Sequence, residues 1–440
     1  MSAPDALADD LSRKLAAAQA EQRMPSVSAV VFRGAGLLWQ EALGLADVER
    51  RREATPDTQY RIGSITKTFT AVGVLLLREE GALSLDDPLT RFLPESTYAP
   101  TIGRMLSHVS GLQREPPGEI WESLRAPSRE QLLAGLAEAE QVLEPGSAWH
   151  YSNLAFALLG EVVARAHGGS WEDALQERVL DPLGLARTTP DAAEPAACGY
   201  FVEPYSDAVR LQPELDLGGS GALGKLWSTS GDLARWGAFL AAGDDRVLRA
   251  ATLAEMAQVR AMVDHERWTL AWGTGLELYR SGEHLLVGHG GAMPGFLAGL
   301  VVERASGIGA AVLTNSGAGP APGKLALELA LAAIEALPGT IAPWAPGEAV
   351  PEEIEPLLGP WWTEGHELVL SWRGGQLEAR LVDGAPGRDV SRFEPDGEDR
   401  FRVVEGRERG ELLRVVRAAN GAVEKLYFAT YPVLREPSAF

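Results

Sequence analysis

Ile62-Gly63-Ser64-Ile65-Thr66-Lys67-Thr68-Phe69-Thr70-Ala71-Val72-Gly73-Val74-Leu75-Leu76-Leu77-Arg78-Glu79-Glu80-Gly81 is apolar or small nearly all round from Ser64 to Glu80 and stops at a glycine. A helix of that composition has no broad solvent face, so the stretch predicts a buried helix with a glycine C-terminus. Ser64 and Lys67 stand three residues apart at its start, which puts a hydroxyl and an amine on one face within hydrogen-bonding reach. Burial and the positive end of the helix dipole both disfavour the ammonium form. That is what a lysine needs in order to take a proton from serine near neutral pH. Lysine is scarce in the chain, occurring only at positions 14, 67, 225, 324 and 425. The pair alone does not identify an enzyme.

Working outward, Ala and Leu recur at helical spacing over residues 5–22, and Val27 to Phe32 followed by Gly34 and Gly36 reads as a strand and turn. Leu37 to Ala42 completes a hairpin. Beyond the buried helix the middle of the chain is mostly helical, broken at Pro116-Pro117-Gly118, Pro145-Gly146 and Pro182-Leu183-Gly184. Strand-like segments return at Leu270 to Tyr279, His284 to Gly288, Leu297 to Val302 and Gly309 to Thr314, followed by a helical stretch from Lys324 to Leu337. Strands at both ends of a helical middle imply one antiparallel sheet built from both sequence ends and flanked by helices. That is an α+β fold class.

The segment 338–351 carries Pro338, Pro343, Pro346 and Pro351 with little periodicity, and reads as a linker between a domain over 1–337 and a second over 352–440. In the second, short strands at Leu368 to Trp372, Gln376 to Val382, Phe401 to Val404, Leu412 to Val416 and Glu424 to Ala429 are separated by turns such as Arg373-Gly374-Gly375, Asp396-Gly397 and Asn420-Gly421. That spacing fits a small antiparallel barrel.

Bulk properties narrow the function. The chain has 440 residues, more than one core normally organises, and a formal net charge of −21, which repels nucleic-acid phosphates and anionic headgroups. Neither nucleic acid nor a membrane is an expected partner. No apolar run approaches the length of a membrane span. The acidic start Met1 to Asp10 has no basic or apolar leader region, so the expected location is the cytoplasm. Cys198, the one cysteine, excludes an intrachain disulfide and a multi-thiolate metal site.

Two further segments carry chemistry. Tyr151-Ser152-Asn153 lies at a loop-to-helix boundary, after Pro145-Gly146 and before an apolar helix from Leu154. A phenol beside a lysine cation has a lowered pKa and could relay the serine proton; the alternative is a packed ring with Asn153 capping the helix. His289-Gly290-Gly291-Ala292 follows the strand from His284, and its glycines let a substrate backbone run beside that edge. The Ala292 N–H, paired with that of Ser64, is a candidate oxyanion donor. Gly219-Ser220-Gly221-Ala222-Leu223-Gly224 matches a dinucleotide fingerprint in letters only, since no β-branched strand precedes it. A loop lining an acyl pocket, with Gly224 at its end and Lys225 facing the cleft, fits better. No Gly-x-Ser-x-Gly elbow and no His-Glu-x-x-His is found, and the histidines at 108, 150, 167, 265, 284 and 366 show no metal-ligand spacing.

Ser64 with Lys67, Tyr151 with Asn153, and His289 with Gly291, in that order, resemble the Ser-x-x-Lys, Tyr-x-Asn and Lys-Thr-Gly or His-x-Gly motifs of the serine β-lactamase and penicillin-binding-protein superfamily, in particular its class C, DD-peptidase and esterase branch. Leu83 to Pro88, Met105 to Leu112, Glu144-Pro145-Gly146 and Trp227 to Leu233 look like that branch too, so the resemblance covers roughly residues 10–335. It implies a β-lactamase/transpeptidase-like domain with a helical subdomain, an acyl-enzyme on Ser64, and no metal or organic cofactor. Lys67 and Tyr151 would handle the proton, and Asn153 would orient Lys67 and the substrate amide. His289 stands where true β-lactamases carry lysine, which makes carboxylate recognition conditional on its charge.

The C-terminal segment resembles the lipocalin-like domain found behind some of these hydrolases, with a cleft-covering role preferred over ligand binding and Arg435 as a candidate carboxylate partner. The two-domain layout is similar to that of penicillin-binding-protein-type thioesterases, which cyclise peptides presented by a synthetase carrier, usually through a D-residue. A small-molecule or peptide acyl substrate is therefore expected. The alternatives are an esterase or D-stereospecific peptidase that uses water and, from another class, a covalent sensor that never turns over.

Overall fold

In the computed structural model, residues 3–318, 322–337, 343–347, 349–384 and 390–437 are described. The chain divides into two compact units, Met1–Gly339 and Thr340–Phe440. Most of the proline-rich segment expected as a linker lies outside the described residues or carries no regular structure.

The first unit opens with helix α1 (Ala3–Glu21), strands β1 (Ser26–Arg33) and β2 (Gly36–Asp47), and helix α2 (Thr66–Glu79). Helices α3 (Asn153–His167) and α4 (Ser230–Ala242) follow. The strands β3 (Leu270–Trp272), β4 (Glu277–Ser281), β5 (His284–Met293), β6 (Phe296–Glu303) and β7 (Ile308–Thr314) and helix α5 (Pro322–Ala336) complete it. They build a nine-stranded sheet in the order β2-β1-β7-β6-β5-β4-β3, with two-residue strands at Arg52–Glu53 and Ala261–Met262 as its edges. The first and last parts of the chain meet at β1 and β7, whose antiparallel register pairs Val27 with Thr314 and Arg33 with Ile308.

Alternate residues of β1 explain why its sequence is almost continuously apolar. Val27, Ala29 and Val31 pack with Leu7, Leu11 and Leu15 of α1 and Leu325 and Leu329 of α5, whereas Val30 and Phe32 face the larger core that holds α2, α3 and α4. Both faces of the sheet are covered, and each fully buried leucine contributes about 1.5–3 kcal/mol. Helix α2 runs through the larger core with eleven of its residues buried and ends at Gly81, whose φ of +73° a β-carbon would strain.

The run Leu270 to Tyr279, which reads as one strand, is two. Thr274 and Gly275 donate instead to the carbonyls of Met256 and Leu106, and a β-carbon on Gly273 would lie 2.1 Å from the Met256 carbonyl oxygen. Contacts far away in sequence decide that break.

The second unit is an eight-stranded antiparallel meander: β8 (Gly359–Thr363), β9 (His366–Arg373), β10 (Gln376–Leu381), β11 (Val390–Pro395), β12 (Arg400–Glu405), β13 (Leu412–Arg417), β14 (Val423–Phe428) and β15 (Tyr431–Val433). Reciprocal backbone bonds between Trp362 and Leu434, 2.7 and 2.9 Å, join its edges into a nearly closed barrel consistent with a lipocalin-like one. Inward residues alternate along each strand, with Trp361, Leu370, Leu377, Phe393, Val403 and Leu413 filling the interior. Among the described residues no helix is long and apolar enough to cross a membrane.

Candidate active site

Ser64 sits in a short 3-10 turn, Gly63–Ile65, that runs directly into α2. The turn is pressed against β5. A β-carbon on Gly63, whose φ is +51°, would lie 2.6 Å from the Ala292 nitrogen, and one on Gly291 would lie 1.9 Å from the Ile62 carbonyl oxygen. Only glycine permits this approach, which sets the Ala292 backbone beside the Ser64 turn.

Lys67, one turn on, is completely buried. Its Nζ lies 3.0 Å from Ser64 Oγ and donates to the Leu223 carbonyl at 2.7 Å. Burial pushes the ammonium down to about 7; Arg114 depresses it further, while the carboxylates of Glu115 and Glu277 oppose the fall. A neutral amine keeps one lone pair, and Ser64 is the hydroxyl in reach to fill it. The glycine-rich segment is a pair of 3-10 turns, Gly218–Leu223, that clamps α2: Leu223 holds Lys67 and the Ala222 carbonyl accepts from Thr70 Oγ1 at 2.8 Å. Gly224 lies against Gly63, within van der Waals reach of a β-carbon. Lys225 is not a free cleft cation, since its Nζ pairs with Glu172 at 3.1 Å.

Tyr151 stands beside Ser64, close enough for the serine hydroxyl to oppose the rise in its phenol pKa, and Lys67 Nζ lies 5.0 Å from the centre of its ring. The lowered phenol pKa expected from the sequence is overturned: the ring is partly buried, and the loss of hydration around the phenolate raises it, with Ser64 only partly opposing. Lys67, not Tyr151, has the basicity for a proton acceptor near pH 7.

Asn153 departs from expectation as well. Its amide nitrogen donates to both carboxylate oxygens of Glu115, 2.9 and 3.0 Å, and its Oδ1 has no hydrogen-bond partner. No bond joins it to Lys67 among the described residues. Ser152 caps α3 instead, accepting from the Ala155 N–H at 3.0 Å.

His289 is buried, and its Nδ1 lies 2.5 Å from the Gly290 carbonyl oxygen. A carbonyl accepts only, so Nδ1 carries the proton and Nε2 of the neutral ring presents a lone pair that nothing fills. Burial lowers the histidine pKa, with Glu277 partly opposing it. Gly290, expected to face substrate, has its N–H taken by Glu277 Oε2 at 3.1 Å and its carbonyl by His289. Arg435 belongs to the other unit, where its guanidinium donates to the carbonyls of Pro356 and Pro360 and stacks 3.8 Å from the Trp361 ring. Those contacts hold it on the exposed side of its own unit.

Three side chains beside the site escaped the sequence reading. His108 is fully buried, stacks on Tyr151 at 4.3 Å and accepts from the Ser152 N–H through Nδ1. Trp272 meets His108, Tyr151 and His289 edge-on. Glu115 holds Asn153. His108 lies within the family-like segment Met105 to Leu112; nothing local in the sequence marks Trp272 or Glu115. Among the described residues no group of three or more His, Cys, Asp or Glu could hold a metal ion.

The model of the family described as Beta-lactamase matches residues 11–334, well over half of the chain. The chain belongs to the beta-lactamase family, a family of serine hydrolases. A domain of unknown function, DUF7586, matches residues 350–435. Among curated proteins, Penicillin-binding protein 4 of Amycolatopsis lactamdurans is 31% identical over 79% of this chain and 96% of its own length. Esterase EstB of Burkholderia gladioli is 37% identical over 44% of this chain and 53% of its own. The chain spans about half the length of several such relatives. Of solved structures, a D-stereospecific amidohydrolase from Streptomyces superposes with a TM-score of 0.62 at 28% identity over 76% of this chain and 99% of that one. SurE with D-Leu gives 0.61 at 26% identity over 98% and 100%.

Proposed function

We propose that the protein is a serine hydrolase that acylates Ser64 with ester or amide substrates, preferring donors whose acyl residue has the D configuration. The observation that carries this reading is the buried Lys67 amine, 3.0 Å from Ser64 Oγ with its pKa brought to about 7. The Ser64 proton passes to Lys67 Nζ as the Oγ–C bond forms, and the N–H groups of Ser64 and Ala292 receive the developing oxyanion. Tyr151, protonated and beside Ser64, returns a proton to the leaving group as its bond to carbon breaks, and is reprotonated from Lys67. Water then releases the acyl group by the reverse path.

The D preference is supported by the D-stereospecific amidohydrolase and by the D-Leu complex among the structures this chain resembles. The neutral His289 supports acyl donors without a carboxylate: where a β-lactamase offers a lysine cation, this site offers a lone pair. A second reading rests on the two-unit layout, which is similar to that of penicillin-binding-protein-type thioesterases. In that reading an amine of the bound peptide, not water, attacks the acyl-enzyme and closes a ring.

The test is hydrolysis of D- and L-phenylalanine p-nitroanilides, beside a linear peptide thioester ending in a D-residue. Faster release from the D isomer with free acid as product supports the first reading, and a cyclic product supports the second. Equal rates on both isomers would refute the D preference.

A further inference from the structure

We infer that one mouth of the C-terminal barrel is a binding site for a small organic cation with an apolar, planar body and a carbonyl group. In an up-and-down barrel, alternate hairpins share an end. Here the turns joining β9 to β10, β11 to β12 and β13 to β14 gather at one mouth, and the segment Pro351–Ile354 closes its side. Between them lies a cavity of about 870 Å³, within the range that holds small-molecule ligands.

The floor is Trp372, Leu377, Phe393 and Phe401, inward-facing residues of four successive strands. Aromatic faces of this kind suit a flat apolar body. One polar group breaks that floor: the Trp372 Nε1–H is buried and has no hydrogen-bond partner. An indole can only donate, and an unpaired buried donor is costly, so a ligand that supplies a carbonyl oxygen recovers what the empty site loses.

The rim sets the charge. Arg417 at the mouth is held by Asp399 through bonds of 2.9 Å from Nε and a 2.8 Å contact from Nη2, and its Nη1 donates to the Gly421 carbonyl. That pair is neutral as a unit. Glu353, Glu394 and Glu398 also line the cavity, and none of them has a salt bridge among the described residues. With Asp399 they set four carboxylates against the one guanidinium of Arg417, an excess of negative charge that repels a fatty acid or other anion and attracts an ammonium group. The barrel domain is thereby a recognition module with chemistry of its own, independent of Ser64.

The probe is phenylalaninamide, which has an ammonium, a phenyl ring and a carbonyl; its anionic counterpart is N-acetylphenylalanine, with the same ring and carbonyl. Both are titrated into the full-length Ser64→Ala protein, where turnover is blocked, while the indole N–H resonances of the 12 tryptophans are followed by NMR. Trp372 is assigned from the resonance missing in Trp372→Phe. Saturable movement of that resonance by the amide and not by the acetylated acid is expected. The double variant Glu394→Gln/Glu398→Gln, altered only at exposed positions, should weaken the amide about three- to tenfold by calorimetry, and this arm stands even if Trp372→Phe fails to fold. A Trp372 resonance that stays fixed while others move, equal binding of the anion, or unchanged affinity in the double variant would overturn the inference.

Discussion

Titrating the enzyme should switch acylation on with an apparent pKa of about 7, set by Lys67. At the ordinary lysine value of 10.5 only about 0.03% of the side chain would be a free amine at neutral pH, whereas near 7 about half is, a gain of roughly a thousandfold in competent base. The assay is kcat/KM for p-nitrophenyl butyrate from about pH 5 to about pH 10, where the free enzyme's essential base is read directly. The rate should rise about tenfold per pH unit below the inflection and level off above it. Tyr151→Phe should lower the plateau without moving the inflection, because the phenol, its pKa raised by desolvation, does not titrate in this range. The same burial has a stability signature. The folded pKa lies below the unfolded one, so between about 7 and 10.5 the unfolded chain binds more protons and stability rises with pH, by up to about 1.4 kcal/mol per unit from this group. Urea unfolding of Lys67→Met should lack that contribution. A rate that climbs steadily past the ordinary lysine value, or an inflection that moves in Tyr151→Phe, would refute the assignment of the base.

Glu115→Gln removes the carboxylate that does most to hold the Lys67 pKa up, so the inflection should move to lower pH; an upward shift would contradict the electrostatics. Gly291→Ala would set a β-carbon 1.9 Å from the Ile62 carbonyl oxygen and push β5 off the Ser64 turn, with an expected loss in kcat of about a hundredfold or more; activity within a few-fold of wild type would show that the approach is unnecessary.

Much of the fold was legible because its signals are local. The all-round apolar run from Ser64 to Glu80, the hairpin after Val27 and the glycine-turned strands beyond residue 360 each carry their own periodicity and punctuation. The break between β3 and β4 was not legible, since Met256 and Leu106 impose it from distant parts of the chain. The same division runs through the site. Ser64, Lys67, Tyr151 and His289 stand in ordered short motifs, but the directions of their hydrogen bonds come from tertiary neighbours. Asn153 turns to Glu115 instead of Lys67, Lys225 turns to Glu172, and desolvation of the Tyr151 ring outweighs any acidifying effect of a nearby amine. Trp272 and His108 join the site only because β3 and the segment before Val109 converge on Tyr151.

The most direct test is intact-mass spectrometry of the wild-type protein and Ser64→Ala after brief exposure to a p-nitrophenyl ester and to a D-phenylalanine ester. The wild type should gain the mass of one acyl group at neutral pH and Ser64→Ala none. An adduct that persists in Ser64→Ala, or no adduct on either protein while the ester is consumed, would show that Ser64 is not the nucleophile.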